Sequence, residues 1–111
     1  MGEPLMAEFT GSRRYPRVKP PAGLVVAWQN ANRKWLSYVG GLGLGGLFIR
    51  TPEPLPVGSV IQIAIAVPGD AVRARAVVRD SRPNVGMGVG IVSMGADDRQ
   101  RLSGFVRGLA A

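Results

Sequence analysis

A glycine-dense segment running from Gly40 to Ile49 constrains the fold of this chain more than any other feature. Five of its ten residues are glycine, and it ends in the apolar, β-rich residues Leu47, Phe48 and Ile49. Glycine in regular structure costs about 0.5–1 kcal/mol relative to alanine, so such a run indicates unusual dihedral angles or a close approach of the backbone to a neighbour. We expect a bend that opens into a strand and forms the floor of a ligand site.

Three of these glycines, Gly41, Gly43 and Gly46, also have the spacing of the dinucleotide-binding fingerprint of Rossmann folds. That fingerprint requires a helix after the glycines and an acidic residue about 20 positions further on. Here a β-rich run closed by Pro52 follows, and the first acid near the required distance is Asp70, in a Pro-Gly-Asp turn. The sequence therefore argues against a Rossmann fold.

The charge of the chain favours anionic partners. Its 111 residues suit one domain, and 14 Lys and Arg against 7 Asp and Glu leave a net charge of +7. Such an excess favours nucleic acid, nucleotides or an acidic membrane surface. All but two of the cations are arginine, whose planar fork makes bidentate contacts with phosphate or guanine that lysine cannot make.

The composition also excludes several kinds of chemistry. There are no cysteines and no histidines, which removes disulfides, thiolate metal sites, thiol nucleophiles and imidazole acid-base catalysis. No pair of acids is spaced with a nucleophile in a catalytic pattern, so we expect a protein that is not an enzyme and needs no cofactor or metal. The chain lacks both a membrane-spanning apolar segment and a signal peptide, which predicts a cytoplasmic protein.

Short β-rich runs separated by glycine and proline turns fill most of the chain. We predict a flexible tail over residues 1–12 and a single domain over 13–111, with six strands between about Leu24 and Val92. The run Val60–Val67 alternates cleanly, with its isoleucines on one face. Val72–Asp80 alternates as well, and its outward positions form a basic stripe of Arg73, Arg75 and Arg79. That stripe is either a solvated face or a docking surface.

Only the C-terminal part has a helical period. Between Asp97 and Leu109, apolar residues recur at Leu102, Phe105, Val106 and Leu109, with acids in the first turn. Phe105 lies in the middle of this stripe, so we expect it to be buried. The elements together predict an all-β fold, a six-stranded antiparallel β-barrel with a C-terminal α-helix.

An extended basic arm precedes the barrel. It contains Arg13, Arg14 and Arg17, and its prolines exclude a helix. This arm, the glycine bend into a Gly-Gly-Leu-Phe-Ile strand, a Gly-x-Gly-Val-Gly-Ile strand and the acidic start of the helix together resemble the PilZ domain family.

The resemblance implies a six-stranded barrel with a C-terminal helix and binding of the bacterial second messenger cyclic di-GMP. The family has two motifs: Arg-x-x-x-Arg, and an Asp or Asn followed by any residue, Ser, two further residues and Gly. Arg13 and Arg17 match the first motif, with Arg14 as a possible helper. The second falls on Gly41, Gly43 and Gly46, where only the last glycine agrees.

Three hypotheses for the function remain open at this point. The first is a cyclic di-GMP receptor that passes its signal to an unknown effector protein. The second is a degenerate PilZ adaptor that binds protein and no nucleotide, favoured by the glycines at 41 and 43. The third is a small-barrel nucleic-acid binder, suggested by the net charge and the basic stripe, although the aromatic residues on which bases could stack are scarce in the sequence.

Overall fold

The computed structural model describes residues 17–31 and 33–110. This part of the chain forms strands and a single helix, in the order β1 (Arg17–Val18), β2 (Val25–Asn30), β3 (Arg33–Gly43), β4 (Gly46–Arg50), β5 (Val60–Ile65), β6 (Val72–Arg82), β7 (Gly86–Met94) and α1 (Ala96–Ala110).

The sheet closes into the predicted barrel. Six strands are hydrogen-bonded in the order β3-β2-β5-β6-β7-β4, all neighbours are antiparallel, and β4 pairs again with β3. Strand β1 adds to the C-terminal half of β3, with Arg17 opposite Gly43 and Val18 opposite Leu42. Closure pairs the edges that an open sheet would leave exposed.

The alternation in the sequence corresponds to burial in the structure. Ile61, Ile63 and Ile65 all lie in the core, as the period-two pattern predicted. Trp28 is also buried, its ring stacks on that of Trp35 with centroids 4.2 Å apart, and its Nε1 donates a hydrogen bond to Ser37 Oγ at 3.0 Å. That bond satisfies the one polar atom of a large core side chain.

Helix α1 is held on the barrel by one buried side chain and a polar contact at its start. Leu102 is fully buried, whereas Phe105 is only partly buried. A carboxylate oxygen of Asp98 accepts hydrogen bonds from Arg101 Nη2 at 2.7 Å and from the Arg73 backbone N–H at 3.1 Å. The bond from Arg101, then that from Arg73, lowers the pKa of Asp98. This contact therefore weakens only when the pH falls into the range where Asp98 becomes protonated.

The helix contact gives a stability prediction. Because Phe105 keeps part of its surface in solvent, we expect Phe105→Ala to cost about 1–2 kcal/mol, less than the roughly 3–5 kcal/mol typical of a fully packed aromatic. Chemical denaturation followed by circular dichroism would measure this. Leu102→Ala is the matched comparison and should cost more; the reverse order would mean that Phe105 is the main anchor.

The glycine segment is more regular than the sequence predicted. Strand β3 continues through Gly40 and Gly41 as far as Gly43, with an irregular register between Val39 and Gly41, so the bend shrinks to residues 44–45. Cross-strand pairing with β4 keeps the glycines extended. A strand follows the segment instead of a helix, which confirms that the dinucleotide interpretation does not apply.

Within the described residues, α1 is too short and too polar to cross a membrane.

Candidate functional site

A cavity of about 860 Å³ opens where β1, the bend between β3 and β4, and strands β6 and β7 meet. It is lined by glycine backbone, a few apolar side chains and a cluster of charged side chains. The charged members are Arg17, Arg79, Asp80, Arg82 and Arg99.

The floor of this cavity is formed mainly by the backbone of glycine residues. Gly41 lies beside Arg17, whose Cδ is 3.9 Å from the point that a Cβ on Gly41 would occupy. Neither Gly41 nor Gly43 has a positive φ, so the backbone conformation at both positions is one that an ordinary L-residue can adopt. The backbone at position 41 therefore does not require glycine, and the space beside it is open because this sequence has no side chain there.

Gly46 has a different role, because it allows two strands to approach closely. A Cβ on Gly46 would fall on the carbonyl oxygen of Val89 in β7. Gly86 is comparable, since a Cβ there would collide with the Ile49 carbonyl oxygen and lie 2.7 Å from Cε2 of Phe48. At these glycines, backbone atoms and the Phe48 ring occupy the space that a side chain would need.

Four arginines give the cavity a positive charge. Arg17 comes from β1, Arg79 and Arg82 from β6, and Arg99 from α1. The side chain of Arg79 lies across Gly90, with its Nε 2.5 Å from where a Cβ on that residue would stand. Against these four positive charges stands one carboxylate, that of Asp80, so the described residues of the cavity wall carry a net charge of +3.

The structure brings together part of the site that the sequence predicted. Arg17, Gly41, Gly43 and Gly46 all line the cavity, although Gly46 is explained by strand packing. Arg13 and Arg14 lie outside the described residues, so their assignment to the site stays a prediction.

Sequence reasoning missed Asp80, Arg82, Arg99 and Phe48, and it placed Arg79 only in the basic stripe. The alternation of glycines in β7 was the available signal. Where one face of a strand carries only glycines, side chains from the neighbouring strand can pack across that face. Arg79 of β6 packs across Gly90 of β7 in this way.

The basic stripe of β6 is split between two surfaces. Arg73 and Arg75 line a second groove of about 660 Å³ together with Lys34, while Arg79 lines the first cavity. Register shifts between Arg75 and Ala76 and between Val78 and Asp80 separate them. The three arginines therefore do not form one continuous basic surface.

In residues 17–31 and 33–110, no group of three or more Asp or Glu side chains is placed to hold a metal ion.

A closed six-stranded barrel with a C-terminal helix and an arginine-lined cavity defines a class of small β-barrel domains that attract anions. The model of the PilZ domain matches residues 12–108. This chain therefore belongs to the PilZ domain family, as the sequence motifs predicted.

Solved structures share the fold at low sequence identity. The PilZ domain of YcgR from Escherichia coli, solved with c-di-GMP, is 17% identical with a TM-score of 0.67, and the match covers 88% of this chain and 91% of that one. The MrkH-c-di-GMP complex of K. pneumonia is 16% identical with a TM-score of 0.72 and coverages of 89% and 52%.

The Bacillus subtilis inhibitor of motility MotI/DgrA is 21% identical, with a TM-score of 0.70 and coverages of 86% and 49%. This chain thus spans about half the length of MotI/DgrA and MrkH. Among curated proteins, none matches the sequence.

Proposed function

We propose that this PilZ domain binds cyclic di-GMP in the arginine-lined cavity and passes the signal to an effector protein. The observation that carries the proposal is the meeting of the two family motifs in one cavity: Arg17 lies beside Gly41 and pairs with Gly43. Two solved relatives of the same fold, YcgR and MrkH, are described with this ligand.

The chemistry of the cavity suits this ligand. Cyclic di-GMP carries two phosphodiester charges, which the net charge of +3 more than balances. Guanidinium forks match phosphate oxygens and the O6 and N7 acceptors of guanine, and their planes can stack on a purine. The volume of about 860 Å³ lies in the usual range of about 300–1,000 Å³ for small-molecule sites.

Arg17 holds a central place in this proposal. Its exposed side chain starts from the strand pair β1–β3, so the backbone fixes where the guanidinium can reach. Arg13 and Arg14 would extend the same arm over the ligand. Binding of cyclic di-GMP beside Arg17 would change the surface that is offered to an effector at this end of the barrel.

A second candidate function is a protein-binding adaptor without a ligand, and the bare backbone at Gly41 and Gly43 favours it. Two neutral hydrogen-bonding side chains are worth about 1–3 kcal/mol together, or roughly 5- to 150-fold in affinity. Their absence weakens the receptor function without removing the arginines. The receptor is therefore the better supported of the two.

Calorimetric titration of the full chain with cyclic di-GMP tests the proposal. We expect saturable binding, with single-stranded DNA binding weakly at physiological salt. Absence of binding at high micromolar cyclic di-GMP would contradict it. Tight oligonucleotide binding that persists at physiological salt would favour a nucleic-acid function, since binding by charge alone falls steeply as salt rises.

Restoring the side chains of the second motif should strengthen binding. Gly41→Asn with Gly43→Ser should tighten cyclic di-GMP binding by up to about 1–3 kcal/mol, because neither position has a positive φ and the space beside Gly41 is open. The same calorimetric titration measures the change. Gly41→Ala with Gly43→Ala is the matched control, since it adds bulk without hydrogen-bonding groups.

The outcome separates the two candidate functions. If the wild type binds no cyclic di-GMP and the Asn/Ser variant does, the adaptor interpretation is correct. If the Ala/Ala control tightens binding as much as the Asn/Ser variant, hydrogen bonding at these positions is not the cause.

A further inference from the structure

We propose that Asp80 contributes to base specificity by accepting hydrogen bonds from the Watson–Crick edge of a guanine. This inference rests on the proposed function and adds the residue that distinguishes guanine from adenine. It is drawn from the geometry of β6 and from the composition of the cavity wall.

A β-bulge points Asp80 toward the cavity. In a regular strand, consecutive side chains alternate between the two faces, so Asp80 would follow buried Val78 into the core. The register of β6 against β7 shifts between Val78 and Asp80, and Arg79 and Asp80 are both exposed and both line the cavity. Bulges commonly re-aim a side chain in this way beside functional sites.

The carboxylate of Asp80 is accessible to solvent and is held in place by a hydrogen bond from Arg82. Its strand partner is Gly88, and the Asp80 Cβ lies 3.7 Å from where a Cβ on Gly88 would stand, so no neighbouring side chain covers it from that position. The Asp80 side chain is 53% exposed. Arg82 Nε donates to Asp80 Oδ2 at 2.9 Å, while Oδ1 has no hydrogen-bond donor among the described residues.

In the part of the chain that the structure describes, the rest of the cavity wall offers no other side chain that can accept hydrogen bonds from a base. Its remaining side chains are arginines, which only donate, and apolar groups such as Phe48. Guanine presents two donors, N1–H and the N2 amino group, on its Watson–Crick edge. Among the described residues of the cavity wall, Asp80 is the one whose side chain can accept them, and Oδ2 keeps a lone pair beyond the one used by Arg82.

Adenine would not satisfy the same carboxylate. Its N1 is an acceptor, so a lone pair would face the negative oxygen where guanine offers a proton. The arginines cannot make this distinction through phosphate, because cyclic di-GMP and cyclic di-AMP carry the same charge. Recognition of the Watson–Crick edge of guanine is therefore assigned to Asp80, while the arginines bind phosphate and can contact the O6 and N7 edge of the base.

Titration of the full chain with cyclic di-GMP and with cyclic di-AMP tests this assignment. The wild type should prefer cyclic di-GMP. Asp80→Ala should weaken cyclic di-GMP binding roughly 5- to 150-fold, the range of one good bidentate contact to a base, and should leave cyclic di-AMP binding unchanged or tighter. Asp80→Asn, which preserves the shape of the side chain, should lie between the wild type and Asp80→Ala.

Whether Asp80→Ala weakens or tightens binding of cyclic di-GMP distinguishes a hydrogen-bonding role of Asp80 from a purely electrostatic one. Removing a negative charge from a cavity that binds phosphates should tighten binding of both ligands if Asp80 acts only through its charge. Glu53→Gln removes a negative charge outside the cavity wall and is the matched control. Thermal melts of each variant show that the barrel is folded.

The results distinguish this inference from the proposed function. If the wild type binds cyclic di-GMP and Asp80→Ala keeps the same preference for cyclic di-GMP over cyclic di-AMP, the role of Asp80 is overturned and the proposed function stands. Equal tightening of both ligands in Asp80→Ala would do the same. Absence of cyclic dinucleotide binding by the wild type would overturn the proposed function and this inference together.

Discussion

Arg17→Glu is expected to lower the affinity for cyclic di-GMP by about 3–5 kcal/mol, roughly 150- to 5,000-fold. The substitution removes a charged hydrogen-bond donor, worth about 1.5–3 kcal/mol by itself. It also places a carboxylate beside Gly41, where the arginine now faces the cavity, and like charges in contact cost several kcal/mol more. Arg17→Ala, which lacks the second effect, should therefore lose only about 10- to 150-fold.

Calorimetric titration measures both losses, and a matched charge reversal controls for the net charge of the chain. Arg107 is exposed near the end of α1 and does not line the cavity, so Arg107→Glu should change the affinity little. Thermal melts of both charge-reversal variants show whether the barrel is folded, so that a loss of affinity is separated from a loss of stability. Equal losses for the Arg17 and Arg107 variants would mean that long-range charge governs binding.

The fold was largely predictable because its determinants are local in sequence. The alternation of Ile61, Ile63 and Ile65 reports directly which face of β5 is buried, and only one segment has a helical period. The sequence did not show which apolar residue of the helix would be buried most deeply. Leu102 and Phe105 lie on the same stripe, and only the way α1 meets β6 decides that the smaller residue is fully enclosed.

The site was predictable only in the segments whose motifs are contiguous. Arg17 and Gly41 belong to recognisable patterns, and the pairing of β1 with β3 brings them together. Asp80 and Arg99 belong to neither of the two binding motifs; the cavity recruits them from β6 and from α1 through the closure of the barrel. Two register shifts in β6, invisible in a period-two alternation, then divide a stripe that looked continuous.

Two glycines of the second motif, Gly41 and Gly46, differ in how closely neighbouring atoms pack against them. Gly41 has open space beside it, and its backbone tolerates an L-residue. Gly46 has no space, since β4 and β7 approach each other there with backbone against backbone. The glycine that still agrees with the family motif is thus the one that strand packing requires, whereas Gly41, which departs from the motif, has room for a side chain.

Gly46→Ala is accordingly expected to destabilise the barrel by at least about 3 kcal/mol, at the upper end of the cost of overpacking. The added Cβ would fall on the Val89 carbonyl oxygen, a backbone atom that can move only if β4 separates from β7. For a domain of this size, such a loss lowers the Tm by roughly 10 °C or more.

Gly41→Ala is the matched control for this prediction, because it adds the same methyl group to the same glycine segment. It should leave the Tm unchanged or raise it slightly, since alanine restricts the unfolded chain and meets no atom closer than Arg17 Cδ at 3.9 Å in the folded barrel. Scanning calorimetry of both variants without ligand compares the two positions directly. Equal melting temperatures would show that β4 can move away from β7 at little cost, and Gly46 would then have to be explained by ligand binding instead of packing.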